Sequence, residues 1–289
     1  MNIMLINKLY SMKTQIRINL RLIITLALII VTGFVYSQTK GNGNVIKEVR
    51  NTGNFTSIKL TCSADIYISQ GSTSVMVKTD ENIQEFIETT VENGVLIIDV
   101  KGRGFRSIRT LEVHITVPQL ESIRNSGSGD IKIEGAFNAN DLYVGISGSG
   151  DLDADFDVNN LELKVSGSGD SDISGVKGSL KVSISGSGDL EAEDLKLEDC
   201  YVKNYGSGDL ELSGKTDNLT VVIAGSGDFS GYNLTAVTAK VTNSGSADVT
   251  VNVVEKLQVT LNGSGDLTYH GNPTNVDVSS HGSGDVYKR

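Results

Sequence analysis

The tetrapeptide Gly-Ser-Gly-Asp begins at Gly127, Gly148, Gly167, Gly186, Gly206, Gly225, Gly263 and Gly282, and Gly-Ser-Ala-Asp at Gly245 fills the one gap in the series. Successive copies lie 21, 19, 19, 20, 19, 20, 18 and 19 residues apart. A fixed period near 20 residues specifies a solenoid. Each repeat is one coil that cannot bury its apolar side alone, and only stacking builds a core.

Counting back from the first glycine of each copy, the sixth, fourth and second residues are Leu142, Val144 and Ile146 in one repeat, Leu161, Leu163 and Val165 in the next, then Leu180, Val182 and Ile184. Leu219, Val221, Ile223 and Leu257, Val259, Leu261 continue the series, with polar residues such as Glu162, Lys181 and Gln258 between them. This period-two alternation predicts one strand per coil with its apolar side inward. The residue after each aspartate is apolar except at Ser171, so a second strand starts there and the tetrapeptide is the corner between two faces. Glycine serves a corner by permitting positive φ or close approach of stacked backbones. A composition of 32 Gly, 2 Pro and no Trp agrees with many short strands and tight turns. Parallel coils stack about 4.8 Å apart, so nine coils predict a rod of roughly 45 Å carrying ladders of like residues. Asn125, Asn204 and Asn243 share the inward column nearest the corner, where a stacked amide ladder would satisfy them.

Upstream, "TSIKLTCSADIYI" repeats the pattern with "CSAD" at the corner, placing the start of the solenoid near residue 45. The stretch "SVMVKTDENIQEFIETTVENGVLIIDVKG" reads as two strands around a short segment at 80–88, with Glu92-Asn93-Gly94 as a hairpin turn. "RTLEVHITVPQLESI" then re-enters the repeat. These residues form an atypical N-terminal coil set that covers an exposed sheet edge. At the other end, Lys288 and Arg289 discourage edge-to-edge pairing.

The order "NTGNFTSIKLTCSADIYISQG", "DENIQEFIETTVENGVLIIDV", "ITVPQLESIRNSGSGDI" and then repeated Gly-Ser-Gly-Asp coils resembles the head GIN domain family, also called DUF2807 or the putative auto-transporter adhesin family. The resemblance covers residues 42–289 and implies a secreted or lipid-anchored protein of the kind common in the Bacteroidetes. It also implies an all-β fold, a single-stranded right-handed parallel β-helix with about 19–20 residues per repeat. The usual handedness of parallel crossovers favours the same topology. The family brings no catalytic residues to carry over, and "adhesin" there is a label of analogy.

Residues 1–37 differ from the rest. Lys8, Lys13, Arg17 and Arg21 precede an uncharged run from Leu22 to Val35 and small Ser37, which reads as a secretory signal peptide, with Met12 an alternative start. The rival reading, an uncleaved anchor, is disfavoured because about 14 apolar residues fall short of the roughly 20 that span a bilayer. The expected mature domain is 38–289, atypical over 38–122 and regular over 123–289, exported to the periplasm or the cell surface, with no membrane span after cleavage. Losing four basic residues leaves 21 Lys and Arg against 35 Asp and Glu, about −14, which argues against nucleic acid and anionic membranes as partners. Cys62 and Cys200 fall in different columns many coils apart, which disfavours a bridge, and Cys200 takes an inward leucine position.

The aspartate column is the one candidate site in the sequence. Asp130, Asp151, Asp170, Asp189, Asp209, Asp228, Asp248, Asp266 and Asp285 repel one another about 4.8 Å apart, by roughly 1 kcal/mol per pair in water. Hydrogen bonds from corner amides or the adjacent serine offset this. The functional alternative is a Ca²⁺ ladder held by Asp151, Asp170, Asp189, Asp209 and Asp228, loosely like the calcium-binding nonapeptide solenoids. An enzyme reading, a polysaccharide lyase or hydrolase on this scaffold, lacks support: there is no Trp, and His114, His270 and His281 are scattered without a motif. The expected function is a non-enzymatic exported module at the cell envelope that binds a glycan or protein.

Overall fold

The alternation around the corners becomes strand throughout. The computed structural model describes residues 38–102 and 104–289, so the expected signal peptide lies outside the described residues. The described residues are 65% strand with almost no helix and form a β-solenoid of about nine turns. A small separate unit contains β1 (Thr39–Lys40), paired in parallel with a two-residue strand further along.

In the main unit, β2 (Val45–Arg50), β3 (Ser57–Leu60), β4 (Asp65–Gln70) and β5 (Ser74–Asp80) lead into a 3-10 helix, Glu81–Phe86. The hairpin β6 (Ile87–Glu92) and β7 (Val95–Val100) follows. Its two-residue turn has positive φ at both Asn93 (51°) and Gly94 (78°), the type I′ geometry that Asn-Gly selects. After β8 (Phe105–Arg106), the partner of β1, come β9 (Leu111–Val117) and β10 (Ser122–Asn125). Seven long strands carry the regular coils: β11 (Ile131–Ile146), β12 (Leu152–Val165), β13 (Ser171–Ile184), β14 (Leu190–Asn204), β15 (Leu210–Ile223), β16 (Phe229–Asn243) and β17 (Val249–Leu261). The last coil is split into β18 (Leu267–His270), β19 (Asn275–Ser280) and β20 (Val286–Lys288).

All pairings from β10 onward are parallel and in register at the corner, as in Leu142↔Leu161, Leu161↔Leu180 and Leu180↔Cys200. Unequal repeat lengths are absorbed elsewhere. Between β11 and β12 the register runs Ile133↔Ala154 and then Phe137↔Phe156, so the 21-residue repeat bulges its two extra residues at Glu134–Ala136, where Gly135 has φ 78°. Each long strand buries a continuous inward series, for example Leu190, Ala192, Leu195, Leu197, Cys200 and Val202.

The N-terminal coil set changes the direction of pairing. On one face β4 pairs in parallel with β9, and β5 and β2 then add antiparallel strands. On the other, β3 pairs in parallel with β7, which is followed by antiparallel β6. Parallel coils therefore give way to hairpin edges at this end, the expected covering of an otherwise open solenoid face.

Candidate functional site

The corner glycines are required by close approach rather than by positive φ, since none of the tetrapeptide glycines lies in the left-handed region. A Cβ on Gly148 would stand 1.6 Å from the carbonyl oxygen of Gly127 in the coil below, and one on Gly188 2.0 Å from that of Gly169. The same stacking runs from Gly127 over Cys62 and Gly129 over Ala64, so "CSAD" is the first corner of the column. Nothing in the structure explains how buried Ala247 is accommodated where the other regular repeats carry the second glycine.

Each carboxylate of the column but the last, Asp285, caps a backbone amide of the next coil. The N–H of Asp130 donates to Asp65 Oδ1 (3.0 Å), that of Asp151 to Asp130 Oδ1 (3.0 Å) and that of Asp170 to Asp151 Oδ1 (2.8 Å). Asp189, Asp209, Asp228, Asp248, Asp266 and Asp285 continue the chain at 2.7–2.9 Å. One oxygen of every carboxylate from Asp65 to Asp266 is thus committed to the fold, which offsets the repulsion along the column. The five aspartates expected to hold calcium, Asp151, Asp170, Asp189, Asp209 and Asp228, are exposed members of this chain. Beside them Asp172, Glu191 and Glu211 pair in register, and the charges of Glu193 and Asp172, with lesser help from burial, raise the Glu191 carboxyl above its ordinary value. Among the described residues no group of three or more His, Cys, Asp and Glu is arranged to hold a metal ion.

The asparagines differ from the expected stacked ladder. Asn204 and Asn243 are separated by Ile223 in the column, so the amides do not stack on one another; each binds its own corner, and Asn204 Nδ2 also reaches the Gly227 carbonyl of the next one (3.2 Å). Asn204 Nδ2 donates to the Gly208 carbonyl (2.8 Å) while its Oδ1 accepts from the Gly206 N–H (2.9 Å). Asn125 and Asn243 do the same at theirs.

Where the N-terminal coil set meets the first regular coils, a groove of about 810 Å³ opens on the outer surface. Gln70 braces its edge, donating to the carbonyls of Pro118 and Asn138 (both 3.0 Å) and accepting from the Asn138 N–H (3.1 Å). Its floor is a second polar ladder: Asn160 donates to Asp141 Oδ1 (2.7 Å), Asn140 to Asp141 Oδ2 (2.6 Å), and Ser179 Oγ to Asn160 Oδ1 (2.8 Å). Hydrogen bonds from Asn160 and then Asn140 hold the Asp141 carboxyl below its ordinary range. Glu121, Tyr143, Glu162 and Lys181 also line it, and hydrogen bonds from Lys164 and Lys181 likewise lower Glu162. The inward columns of the repeat carry no sign of this groove. Asp141, Asn160, Ser179, Asp199, Asn218 and Thr238 all stand seven residues before a corner glycine, a column legible in the repeat.

The histidines stay apart. His114 stacks on Tyr67 (4.8 Å) and bonds Glu112 at 3.0 Å, and His270 meets Tyr232 edge-on (4.7 Å). Cys62 and Cys200 are both free thiols. Burial pushes the Cys200 thiol up to about 12.

The family described as "Putative auto-transporter adhesin, head GIN domain" matches the sequence over residues 54–211 and 198–273. Among solved structures the chain is similar to a putative lipid binding protein of Parabacteroides distasonis, with 22% identity and a TM-score of 0.64, over 88% of this chain and 100% of that one. It is also similar to a putative adhesin of Parabacteroides merdae (21%, TM-score 0.65, 87% and 99%) and to one of Bacteroides fragilis (21%, TM-score 0.53, 86% and 99%). At these identities the structures show a shared fold. No curated protein matches the chain significantly in sequence.

Proposed function

The chain belongs to the DUF2807 head GIN domain family, and from that premise we propose that it is a non-enzymatic, exported binding module of the cell envelope whose junction groove takes a saccharide. The observation that carries this is the ladder Asn140–Asp141–Asn160–Ser179, held by hydrogen bonds of 2.6–2.8 Å and facing the groove. Planar amides and a carboxylate fixed by one another can accept from and donate to vicinal hydroxyls without first being ordered. The family and the structural relatives, described as adhesins or a lipid binding protein, support a binding role.

The same geometry favours binding over glycoside cleavage. A glycosidase needs one carboxyl kept protonated near neutral pH as the general acid. The two carboxyls on the ladder side of the groove, Asp141 and Glu162, are shifted the other way by their amide and lysine donors. Export rests on the sequence of residues 1–37. Among the described residues no helix is long and apolar enough to cross a membrane.

The test is retention of the protein on an immobilised oligosaccharide array, with reducing-end release followed in parallel. Wild type is expected to bind at least one saccharide, Asn160→Ala to lose that binding, and neither to release reducing ends. Turnover that Asp141→Asn abolishes would make the groove an active site instead.

A further inference from the structure

Beyond Tyr143 the junction groove has a neighbour of opposite character. A cleft of about 320 Å³ is lined by Lys59, Arg124 and Lys164 and by no acidic residue, on a chain whose formal net charge is −10. The three cations share one outward column, three residues before successive corners: Lys59 pairs with Arg124, Arg124 with Gly145, and Gly145 with Lys164. Gly145 is the gap in that column. A Cβ there would lie 2.9 Å from the Tyr143 hydroxyl, so the missing side chain is what lets the phenol lean between the flanking cations. The Arg124 guanidinium stands 4.8 Å from the centre of that ring and the Lys164 ammonium 5.3 Å.

Lys164 is bridged to Glu162 (2.9 Å), which lines the junction groove, so this one ion pair joins the two depressions. Arg124 and Lys59 have no carboxylate partner among the described residues, and both are exposed. A guanidinium held against an aromatic ring, with an ammonium on either side and a phenol between, is a donor set for an oxyanion. The ladder beyond Tyr143 is a donor and acceptor set for hydroxyls.

We propose that the two depressions form one site for an acidic saccharide, its carboxylate or sulfate held by Arg124, Lys164 and Lys59 and its hydroxyls by the Asn140–Asp141–Asn160 ladder. This rests on the saccharide reading of the junction groove and adds its chemical class. The net negative charge of the chain repels such a ligand at long range, so local attraction at this basic cleft sets where it docks.

Calorimetric titration of the protein with oligogalacturonate, a heparin-derived oligosaccharide and a neutral galactose oligomer of matching length tests it. At least one acidic oligosaccharide should bind more tightly than the neutral one, and more weakly as salt rises. Arg124→Gln should weaken that binding about 10- to 100-fold, and charge-reversing Lys164→Glu at least as much. Both positions are exposed, so the fold should survive, and an unchanged melting midpoint would verify that it does. Equal affinity for acidic and neutral oligomers, or full affinity in Arg124→Gln, overturns the proposal. If only the neutral oligomer binds and Asn160→Ala abolishes it, the groove reading stands and the acidic class falls. If no saccharide binds, both fall, as they do if Arg124 proves to be needed only for binding to phosphatidylglycerol vesicles.

Discussion

At the scale of single residues the two uses of glycine are separated at Gly186 and Gly94. Gly186 has no unusual φ, yet a Cβ would sit 1.7 Å from the Gly167 carbonyl oxygen, a backbone atom that cannot swing aside. Gly94 has φ 78° and open space around it. Gly186→Ala should therefore force coils apart and cost about 3 kcal/mol or more, whereas Gly94→Ala should cost only about 1 kcal/mol of backbone strain. Urea unfolding of the two variants checks the ranking, and equal costs would refute the close-approach account. The sequence announced that the tetrapeptide glycines matter but could not say which of their two properties was in use, because φ and coil spacing are both invisible before the coils are stacked.

At the scale of elements, the aspartate ladder and the N-terminal coil set make different demands on carboxylates. Asp170→Asn keeps the Oδ1 acceptor for the Asp189 amide and removes a repulsive charge, so stability should hardly change. Asp170→Ala removes the acceptor and should cost about 1 kcal/mol, a modest figure because the site is exposed. A ladder built for the backbone also predicts a melting midpoint indifferent to calcium or a chelator. An upward shift with calcium would restore the metal role to Asp151, Asp170, Asp189, Asp209 and Asp228.

In the coil set, burial alone would raise Glu112, but hydrogen bonds from Thr110, Lys78 and His114 outweigh it and hold the carboxyl at about 2, against an ordinary 4.5. A depressed folded value contributes stability above the unfolded value that is lost as pH falls toward the folded one. The stability gap between wild type and Glu112→Gln should thus be full above about pH 4.5 and close on approach to pH 2. A gap that does not vary with pH would show that the Glu112 charge does not matter. This cluster was hidden from the repeat pattern, because Lys78 and Glu112 meet only through the antiparallel pairing of β5 with β9.

At the scale of the molecule, the solenoid and its corners were readable from the 19–20-residue period. So was the hairpin, from Asn93-Gly94. The proposed binding surface was not. It arises at the boundary between the atypical and regular coils, where Gln70 meets Asn138 across 68 residues, and where a gap at Gly145 matters only once Lys59, Arg124 and Lys164 are stacked beside it. Periodicity shows what recurs, whereas the site is made where the recurrence breaks. The stacking itself is tested most directly by hydrogen–deuterium exchange at the corner amides of Asp151, Asp170, Asp189, Asp209 and Asp228. Each amide donates to the carboxylate of the coil below, although the side chains around it are exposed. The account predicts protection there comparable to that of the flanking strands, and exchange at the rate of an open glycine-rich loop would contradict it.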